Sequence, residues 1–227
     1  MGDRRSFRFA SIEPAFKGEQ ERGPPTVRVG VTGGIGAGKS LVAKIFEKNG
    51  AYVVEADRVG RDAVVDEAVR GDLVEAFGSV ILDAEGELDR RELGRRAFAG
   101  KSANEKLNSI VWPRLAELLR EETRTSLKAD PSRTVVVDAA LLLEWGDPKD
   151  FCDVLVVVTA PEASRIQRTV DRMGITETEV LERMRSQLPE EKKLRAADFV
   201  VVNDAGLDVL KFRALDVWSR IHKTHPG

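Results

Sequence analysis

The residues with the most distinctive chemistry lie in a glycine-rich segment, residues 33–40, which has the pattern G-x-x-x-x-G-K-S. Glycines allow successive backbone N–H groups to turn toward phosphate oxygens. The Lys39 ammonium would bridge the β- and γ-phosphates, and the Ser40 hydroxyl would bind Mg²⁺. A glycine-rich turn that binds nothing is the alternative, but the apolar run before it and the amphipathic pattern after it favour a nucleotide site. The residues predicted to contact ATP here are Gly34, Ile35, Gly36, Ala37, Gly38, Lys39, Ser40 and Leu41.

Three carboxylates come after apolar runs and are candidates to face the same phosphates. Asp138 ends a Val-Val-Val run, as a Mg²⁺-binding aspartate does in P-loop proteins, although it could also simply cap the strand. Glu55 and Asp57 come directly after another apolar run, with Arg61 four residues beyond Asp57. Because ligands bind at the carboxyl ends of parallel strands, Asp57 is predicted to orient an acceptor hydroxyl. The alternative is that Asp57 caps a helix beginning at Arg58.

A basic stretch at about 165–195 is the second segment that is a candidate for binding phosphate. Arg165, Arg168 and Arg172 have the i, i+3, i+7 spacing that places them on one helix face. Gly174 then offers a break at which a segment could hinge. A solvated basic face is the alternative, but the density of arginine in a slightly acidic chain favours a lid that neutralises a transferring phosphoryl group.

The residues beyond the glycine-rich segment narrow the class of nucleotide chemistry. Asp57 to Gly60 satisfies the spacing D-x-x-G, but no N-K-x-D guanine-reading motif occurs in the chain. The two histidines lie within the last six residues, so acid–base chemistry falls to other groups. These features favour a small-molecule kinase over a GTPase.

The composition of the chain limits the partners and the cellular location that can be expected. The 227 residues are 42% hydrophobic and 33% charged, with a net charge of −2, which provides no global basis for binding nucleic acid. No apolar run approaches the roughly 18 residues of a membrane span. Cys152 is the single cysteine, so no intrachain disulfide can form, as is usual in the cytoplasm.

Apolar runs rich in valine alternate with helical patterns, which predicts a doubly wound parallel α/β sheet. A helix is predicted from Arg58 to Phe77, with an interruption at Gly71. The predicted organisation is an N-terminal extension (1–26) and one domain (27–227), in which the core is 27–57, 133–160 and 198–224, the substrate-side helical region is 58–127, and the lid is about 165–195.

The order of motifs from about Val29 to Ile221 resembles the dephospho-coenzyme A kinase family. The matching motifs are the segment 33–40, Glu55-Ala-Asp57-x-x-x-Arg61, Leu88-Asp89-Arg90, an x-Pro pair at Trp112-Pro113, Asp138-x-x-Leu141-Leu142-x-Glu144, Arg168-x-x-x-Arg172, Arg183-x-x-x-Gln187 and Ala197-Asp198-x-x-x-x-Asn203.

This resemblance implies the last step of coenzyme A synthesis, in which ATP and dephospho-coenzyme A give ADP and coenzyme A. It implies a three-layer P-loop kinase fold, with a five-stranded parallel sheet, a helical substrate domain and a lid. Asp57 would be the base for the ribose 3′-hydroxyl, Arg168 and Arg172 would act from the lid with Lys39, and Asn203 would lie near the adenine of ATP. The residues implied on the acceptor side are Glu55, Arg61, Asp89, Trp112, Pro113 and Leu141, and those for Mg²⁺ are Ser40 and Asp138.

The chain departs from the family pattern at Glu55, Leu41, Trp112 and Ala140, where the family usually has Asp, Thr, His and Pro. ATP chemistry tolerates all four, whereas Trp112 and Ala140 bear on the acceptor. Two alternatives therefore stand beside dephospho-coenzyme A kinase. One is a P-loop kinase for another nucleotide or small hydroxyl compound, and the other is a catalytically silent nucleotide-binding protein. The sequence leaves the oligomeric state open.

Overall fold

The structure is a computed structural model that describes residues 27–97 and 99–225. The predicted N-terminal extension, 1–26, lies outside the described residues. The strands are β1 Arg28–Thr32, β2 Tyr52–Glu55, β3 Val135–Asp138, β4 Val154–Thr159 and β5 Phe199–Val202. The helices are α1 Lys39–Glu47, α2 Ala56–Ala63, α3 Glu67–Phe77, α4 Arg90–Ala97, α5 Lys101–Ala129, α6 Glu162–Met173, α7 Glu177–Ser186, α8 Glu190–Ala196 and α9 Leu207–Thr224. Short 3-10 turns occur at Ser79–Ile81 and Pro148–Asp150.

The five strands form one parallel sheet in the order β2-β3-β1-β4-β5. Val135 to Val137 and Val154 to Val158 are buried, as expected for strands covered by helices on both faces. The register aligns Asp138 with Val31 of β1 on one side and with Glu55 of β2 on the other. This arrangement confirms the predicted five-stranded parallel α/β fold and places three strand ends side by side at one edge of the sheet.

Two apolar clusters cover the two faces of the sheet. On one face, α1 and α9 contribute residues such as Phe46 and Ile221. On the other face, α2 and α5 contribute residues such as Val59 and Leu119. Each buried side chain of this size contributes roughly 1.5–3 kcal/mol from the removal of apolar surface from water. A third, smaller cluster joins α3, α4 and α5 away from the sheet; its buried members are Val69, Leu73, Ile81 and Leu93.

The prediction of one helix interrupted at Gly71 was wrong. The break falls between α2 and α3, where the Asp66 carboxylate accepts hydrogen bonds from the N–H groups of Ala68 and Val69 and so caps α3. Gly71 lies inside α3, because a single glycine costs a helix only about 1 kcal/mol and the aspartate cap sets the boundary.

The basic stretch divides at Gly174, as predicted. Gly174 has φ 64°, a left-handed conformation that ends α6. Thr176 and Glu179 then form a reciprocal capping box that starts α7. Helix α7 ends at Ser186, and Gln187 follows it as the C-cap residue in an extended conformation.

Candidate active site

The glycine-rich segment connects β1 to α1, and its glycines are required by geometry. Gly36 and Gly38 have φ values of 75° and 99°, in the region that favours glycine. A Cβ atom at Gly36 would lie 2.3 Å from the backbone oxygen of Arg165, and one at Gly33 would lie 2.2 Å from that of Val158. Helix α1 begins at Lys39 with no side-chain cap and no acidic residue in its first turn, so its N-terminus is suited to bind an anion.

The apex of this loop is held from several directions. The Ile35 N–H donates to Gln187 Oε1 over 2.9 Å, and Arg165 Nε donates to the Ile35 carbonyl over 3.0 Å. Asn203 Nδ2 donates to the Ala37 carbonyl over 2.8 Å. These hydrogen bonds fix the loop before any ligand arrives.

Arg165 has a different environment from the other two arginines of α6. It is buried, and its Nη1 lies 2.6 Å from Glu190 Oε2. The Glu190 carboxylate also accepts a hydrogen bond from Thr159. Of the three arginines predicted to share one helix face, Arg165 therefore supports the loop, whereas Arg168 and Arg172 line the cleft beside it.

Asp138 lies buried at the end of β3, close to several other charges. Burial raises the pKa of this carboxyl, and the Lys39 ammonium and a hydrogen bond from the Ser40 hydroxyl oppose the rise. The Asp57 and Glu55 carboxylates raise the same pKa further. These five groups are therefore close enough to act on one another, as the register of the strand ends requires.

One cleft of about 380 Å³ brings together the loop and all four predicted catalytic residues, Lys39, Asp57, Arg168 and Arg172. Asp57 is exposed on its wall, in the first turn of α2. The predicted alternative, a cap for a helix beginning at Arg58, was wrong, because α2 begins at Ala56 and Glu55 occupies the N-cap position. The residues lining the cleft are Ile35, Gly36, Gly38, Lys39, Ser40, Leu41, Asp57, Ala140, Arg168, Arg172, Met173 and Gln187.

Arg168 lines the cleft with spare hydrogen-bonding capacity. Its Nη2 donates to the Asn203 carbonyl over 3.3 Å, while Nη1 is buried and has no partner among residues 27–97 and 99–225. A buried, unpaired guanidinium nitrogen is costly, so it marks a place where an anion would be stabilised. Arg172 lies one turn further along α6 and is exposed.

The remaining predicted acceptor-side residues lie outside the lining of this cleft. Glu55 and Arg61 are exposed at the two ends of α2. The Asp89 carboxylate accepts hydrogen bonds from the N–H groups of Arg91 and Glu92, at the start of α4.

An aromatic contact joins the helical region to the loop after β3. Trp112 of α5 stacks on Trp145, with ring centroids 4.3 Å apart, and meets Phe151 edge-on. Pro113 lies inside α5, and Leu141 is half-buried in the loop after β3.

Sequence reasoning missed a buried network beside the cleft. Lys193, with 1% of its side chain exposed, donates to Glu144 Oε1 over 2.7 Å and to the Ala140 carbonyl over 3.2 Å. The Leu188 N–H donates to the same Glu144 oxygen. Glu144 and Lys193 are 49 residues apart, so their pairing depends on the fold and leaves no signal in local spacing.

A second groove, of about 410 Å³, lies between α2 and α5 and is lined by none of the residues predicted to bind phosphate. The described residues contain no helix long and apolar enough to cross a membrane.

Together, the parallel sheet, the glycine-rich loop, the carboxylate on the cleft wall and the arginines beyond β4 define a P-loop kinase. A family model described as dephospho-CoA kinase matches residues 27–208. The chain belongs to the dephospho-CoA kinase family. It is accordingly an ATP-dependent kinase of coenzyme A biosynthesis.

Individual relatives agree with this assignment. The chain is 39% identical to the dephospho-CoA kinase of Corynebacterium glutamicum over 83% of this chain and 94% of the relative. It is also 39% identical to that of Streptomyces avermitilis, over 88% of this chain and 98% of the relative. The solved structure of TT1252 from Thermus thermophilus has a TM-score of 0.73 at 31% identity and covers 86% of this chain and 97% of its own.

More distant solved structures share the fold alone. The dephospho-CoA kinase from Campylobacter jejuni has a TM-score of 0.65 at 23% identity, covering 87% of this chain and 98% of its own. A shikimate kinase from Acinetobacter baumannii has a TM-score of 0.50 at 13% identity, covering 89% of this chain and 96% of its own.

Proposed function

We propose that this chain transfers the γ-phosphoryl group of ATP to the ribose 3′-hydroxyl of dephospho-coenzyme A, giving coenzyme A and ADP. The observation that carries the proposal is the composition of one cleft. Lys39 and Ser40, which can hold a triphosphate, line the same cleft as Asp57, which can accept a proton from an alcohol. Holding donor and acceptor in one orientation removes much of the entropic cost of a reaction between two molecules.

At the phosphate end, the N-terminus of α1 and those backbone N–H groups of 34–41 that do not already donate within the protein would bind the phosphate oxygens. The N–H groups of Ile35, Ala37 and Leu41 donate to Gln187, Gly34 and Gly38, so they hold the loop instead. The Lys39 ammonium would stabilise the charge that develops on the γ-phosphoryl group. Asn203 Nδ2 donates to the Ala37 carbonyl, and from this position the Asn203 side chain would lie near the adenine of ATP.

Magnesium fits the donors at this end of the cleft. The Ser40 hydroxyl and the Asp138 carboxylate are hard oxygen donors, and Mg²⁺ normally binds through one or two such groups together with substrate phosphates and water. Among the described residues, no group of three or more acidic, histidine or cysteine side chains could hold a metal by itself. This composition suits an ion that arrives with the nucleotide, and its role when bound would be to neutralise phosphate charge.

At the acceptor end, Asp57 would take the proton of the 3′-hydroxyl as the oxygen attacks phosphorus. The helical region 58–127, including Arg61, Asp89, Trp112 and Pro113, would bind the rest of the acceptor together with Glu55 and Leu141. Leu141 is next to Ala140, which lines the cleft, and Trp145 in the same loop stacks on Trp112. The loop after β3 therefore connects the phosphate cleft to the helical region.

Arg168 and Arg172 would stabilise the transferring group from the lid, 165–195. The unpaired Nη1 of Arg168 is the strongest support for this role. Closure of the lid would exclude water and so suppress hydrolysis of ATP. Because ATP and its acceptor are metabolites of the cytoplasm, we place the enzyme there.

The test is whether the full chain forms coenzyme A from dephospho-coenzyme A and Mg-ATP. Formation of coenzyme A by the wild type, and its loss in Lys39→Ala, is the expected result. Chromatographic detection of coenzyme A separates this reaction from simple ATP hydrolysis. No product from the wild-type chain, while Mg-ATP still binds, would refute the proposed acceptor.

A second candidate is a kinase that phosphorylates another small hydroxyl compound. It is favoured by Trp112, which stacks on Trp145 where the family pattern has a polar histidine. A panel of nucleosides, nucleotides and sugar alcohols with labelled ATP would identify it by a higher kcat/KM than that for dephospho-coenzyme A.

A further inference from the structure

Gln187 lies on the cleft wall, but none of the catalytic or binding roles proposed above includes it. It directly follows α7 as the C-cap residue, is half-buried, and lines the cleft together with Lys39, Asp57 and Arg168. Its Oε1 accepts the Ile35 N–H over 2.9 Å. Because a backbone N–H can only donate, the carbonyl oxygen of the amide must be the atom at that contact.

This contact fixes the direction of the other half of the amide. A side-chain amide has one oxygen acceptor and an NH₂ group with two donors. With the oxygen on Ile35, the Nε2 group is the remaining polar end, and it has no hydrogen-bond partner within residues 27–97 and 99–225. Gln187 therefore has two unused donors in a cleft that it shares with cationic Lys39, Arg168 and Arg172.

The backbone next to Gln187 is held as firmly as its side chain. The Leu188 N–H donates to Glu144 Oε1 over 2.9 Å, and that oxygen also accepts from the buried Lys193 ammonium. Lys193 in turn reaches the Ala140 carbonyl on the cleft wall. The end of α7 is thus attached both to the phosphate loop and to the loop after β3, which limits the positions available to the Gln187 amide.

We propose that Gln187 is a substrate-contacting residue whose Nε2 group donates a hydrogen bond to the γ-phosphoryl group of ATP. The inference rests on the proposed function, because it assumes that the γ-phosphoryl group lies between Lys39 and Asp57. In the transfer step, the bond from the γ-phosphorus to the β,γ-bridging oxygen breaks and the bond to the acceptor oxygen forms. Asp57 takes the hydroxyl proton, and Gln187 donates to a non-bridging oxygen throughout without losing a proton.

The alternative is that Gln187 only braces the Ile35 peptide. Two substitutions separate these roles. Gln187→Glu keeps an oxygen acceptor for the Ile35 N–H but replaces the donor with a carboxylate. Gln187→Met has a similar length and removes both the acceptor and the donor without adding charge. The matched control is Gln167→Glu, because Gln167 is exposed on α6 and bonds to Asp171 outside the cleft.

Binding of the Mg complexes of ADP and of β,γ-methylene-ATP to the full-length chain would be measured by calorimetry. A hydrogen bond to the γ-phosphoryl group predicts that both Gln187 variants weaken the ATP analogue by about 10- to 100-fold while leaving ADP affinity unchanged. The Gln187→Glu variant is expected to lose more, because its carboxylate repels the phosphate. The control variant is expected to bind both nucleotides as the wild type does.

The proposal is overturned if Gln187→Glu binds the ATP analogue like the wild type, or if Gln187→Met weakens both nucleotides equally. The same holds if only the charged variant is impaired, since that pattern reflects repulsion alone. These binding measurements need no acceptor. Failure of this inference is therefore distinguishable from failure of the proposed function, which is tested by formation of coenzyme A in the wild-type chain.

Discussion

The glycines of the phosphate loop and those of the helical region have opposite surroundings. A Cβ atom at Gly34 or Gly38 would lie 2.1 Å from the Arg165 guanidinium or 2.4 Å from the Asn203 amide. A Cβ atom at Gly60 or Gly71 in α2 and α3 would meet nothing within 4 Å. At Gly34 and Gly38 a larger residue would displace side chains that hold the loop in place, and the φ of 99° at Gly38 favours glycine as well. In the helical region, glycine is replaceable.

This contrast teaches where the protein is rigid and where it can vary. The phosphate end recognises a group common to all nucleotides, and its backbone is fixed by contacts from three elements. The helical region packs around a smaller apolar cluster of its own. Gly60 and Gly71 in this region have open space around them, so a side chain could be added there. Substitutions in the two regions should therefore differ in both the size and the sign of their effects.

The largest effect is expected from Asp57→Asn, in the first turn of α2, where the core meets the helical region. The amide preserves the size of the side chain but cannot accept the hydroxyl proton, so kcat should fall by about 10²–10⁴-fold with Mg-ATP affinity preserved. Steady-state kinetics with dephospho-coenzyme A and calorimetry with Mg-ATP would measure both. Phosphorylation at the wild-type rate would contradict the role of Asp57.

Gly36→Ala should have the next largest effect. The new Cβ atom would lie 2.3 Å from the backbone oxygen of Arg165, at a φ of 75° that alanine adopts poorly. The loop would shift and misdirect its N–H groups, lowering kcat by about 10²–10³-fold, the usual cost of one preorganised donor. Nucleotide titration and turnover would measure the loss. An alanine variant with normal turnover would show that the loop is less constrained than its contacts indicate.

Asp138→Asn should lower activity and raise stability. If Asp138 helps to hold Mg²⁺, directly or through water, its loss should reduce kcat by about 10- to 100-fold. Burial raises the folded-state pKa of Asp138 above its ordinary value of 3.8, so the ionised form destabilises the fold.

This raised pKa sets the sign of the pH dependence. The wild type should lose unfolding free energy as pH rises from about the ordinary value through the raised pKa, whereas the asparagine variant should not. The variant should therefore melt at a higher temperature than the wild type at pH 7.5, and the difference should shrink near pH 4. Thermal unfolding without ligand would test this, and a lower melting temperature of the variant at pH 7.5 would contradict it.

Gly71→Ala should have the smallest effect, and it should raise stability where Gly36→Ala impairs turnover. Gly71 is exposed inside α3 with open space around it, so alanine should stabilise the helix by up to about 1 kcal/mol. For a domain of this size that corresponds to a rise of about 2–4 °C in melting temperature. Turnover should be unchanged. A loss of stability would show that a Cβ atom at Gly71 does meet neighbouring atoms.

The sheet and the phosphate loop could be predicted from the sequence because their signals are local. Strands β4 and β5, Val154–Thr159 and Phe199–Val202, coincide with continuous apolar runs in the sequence, which mark strands of a parallel sheet. The break between α2 and α3 could not be placed by glycine alone, because the capping contacts of Asp66 decided it. The inward direction of Arg165 and the pairing of Glu144 with Lys193 depend on contacts between distant segments, which spacing does not encode.

The stacked indoles of Trp112 and Trp145 have a consequence for observing this protein in solution. They account for two of its three tryptophans, and the third, Trp218, lies in α9 against Phe46 and His222. Two of the three indole chromophores therefore lie where α5 meets the loop after β3. Any rearrangement that separates those two elements would alter the emission of a coupled pair, so the chain carries a native optical probe at that junction.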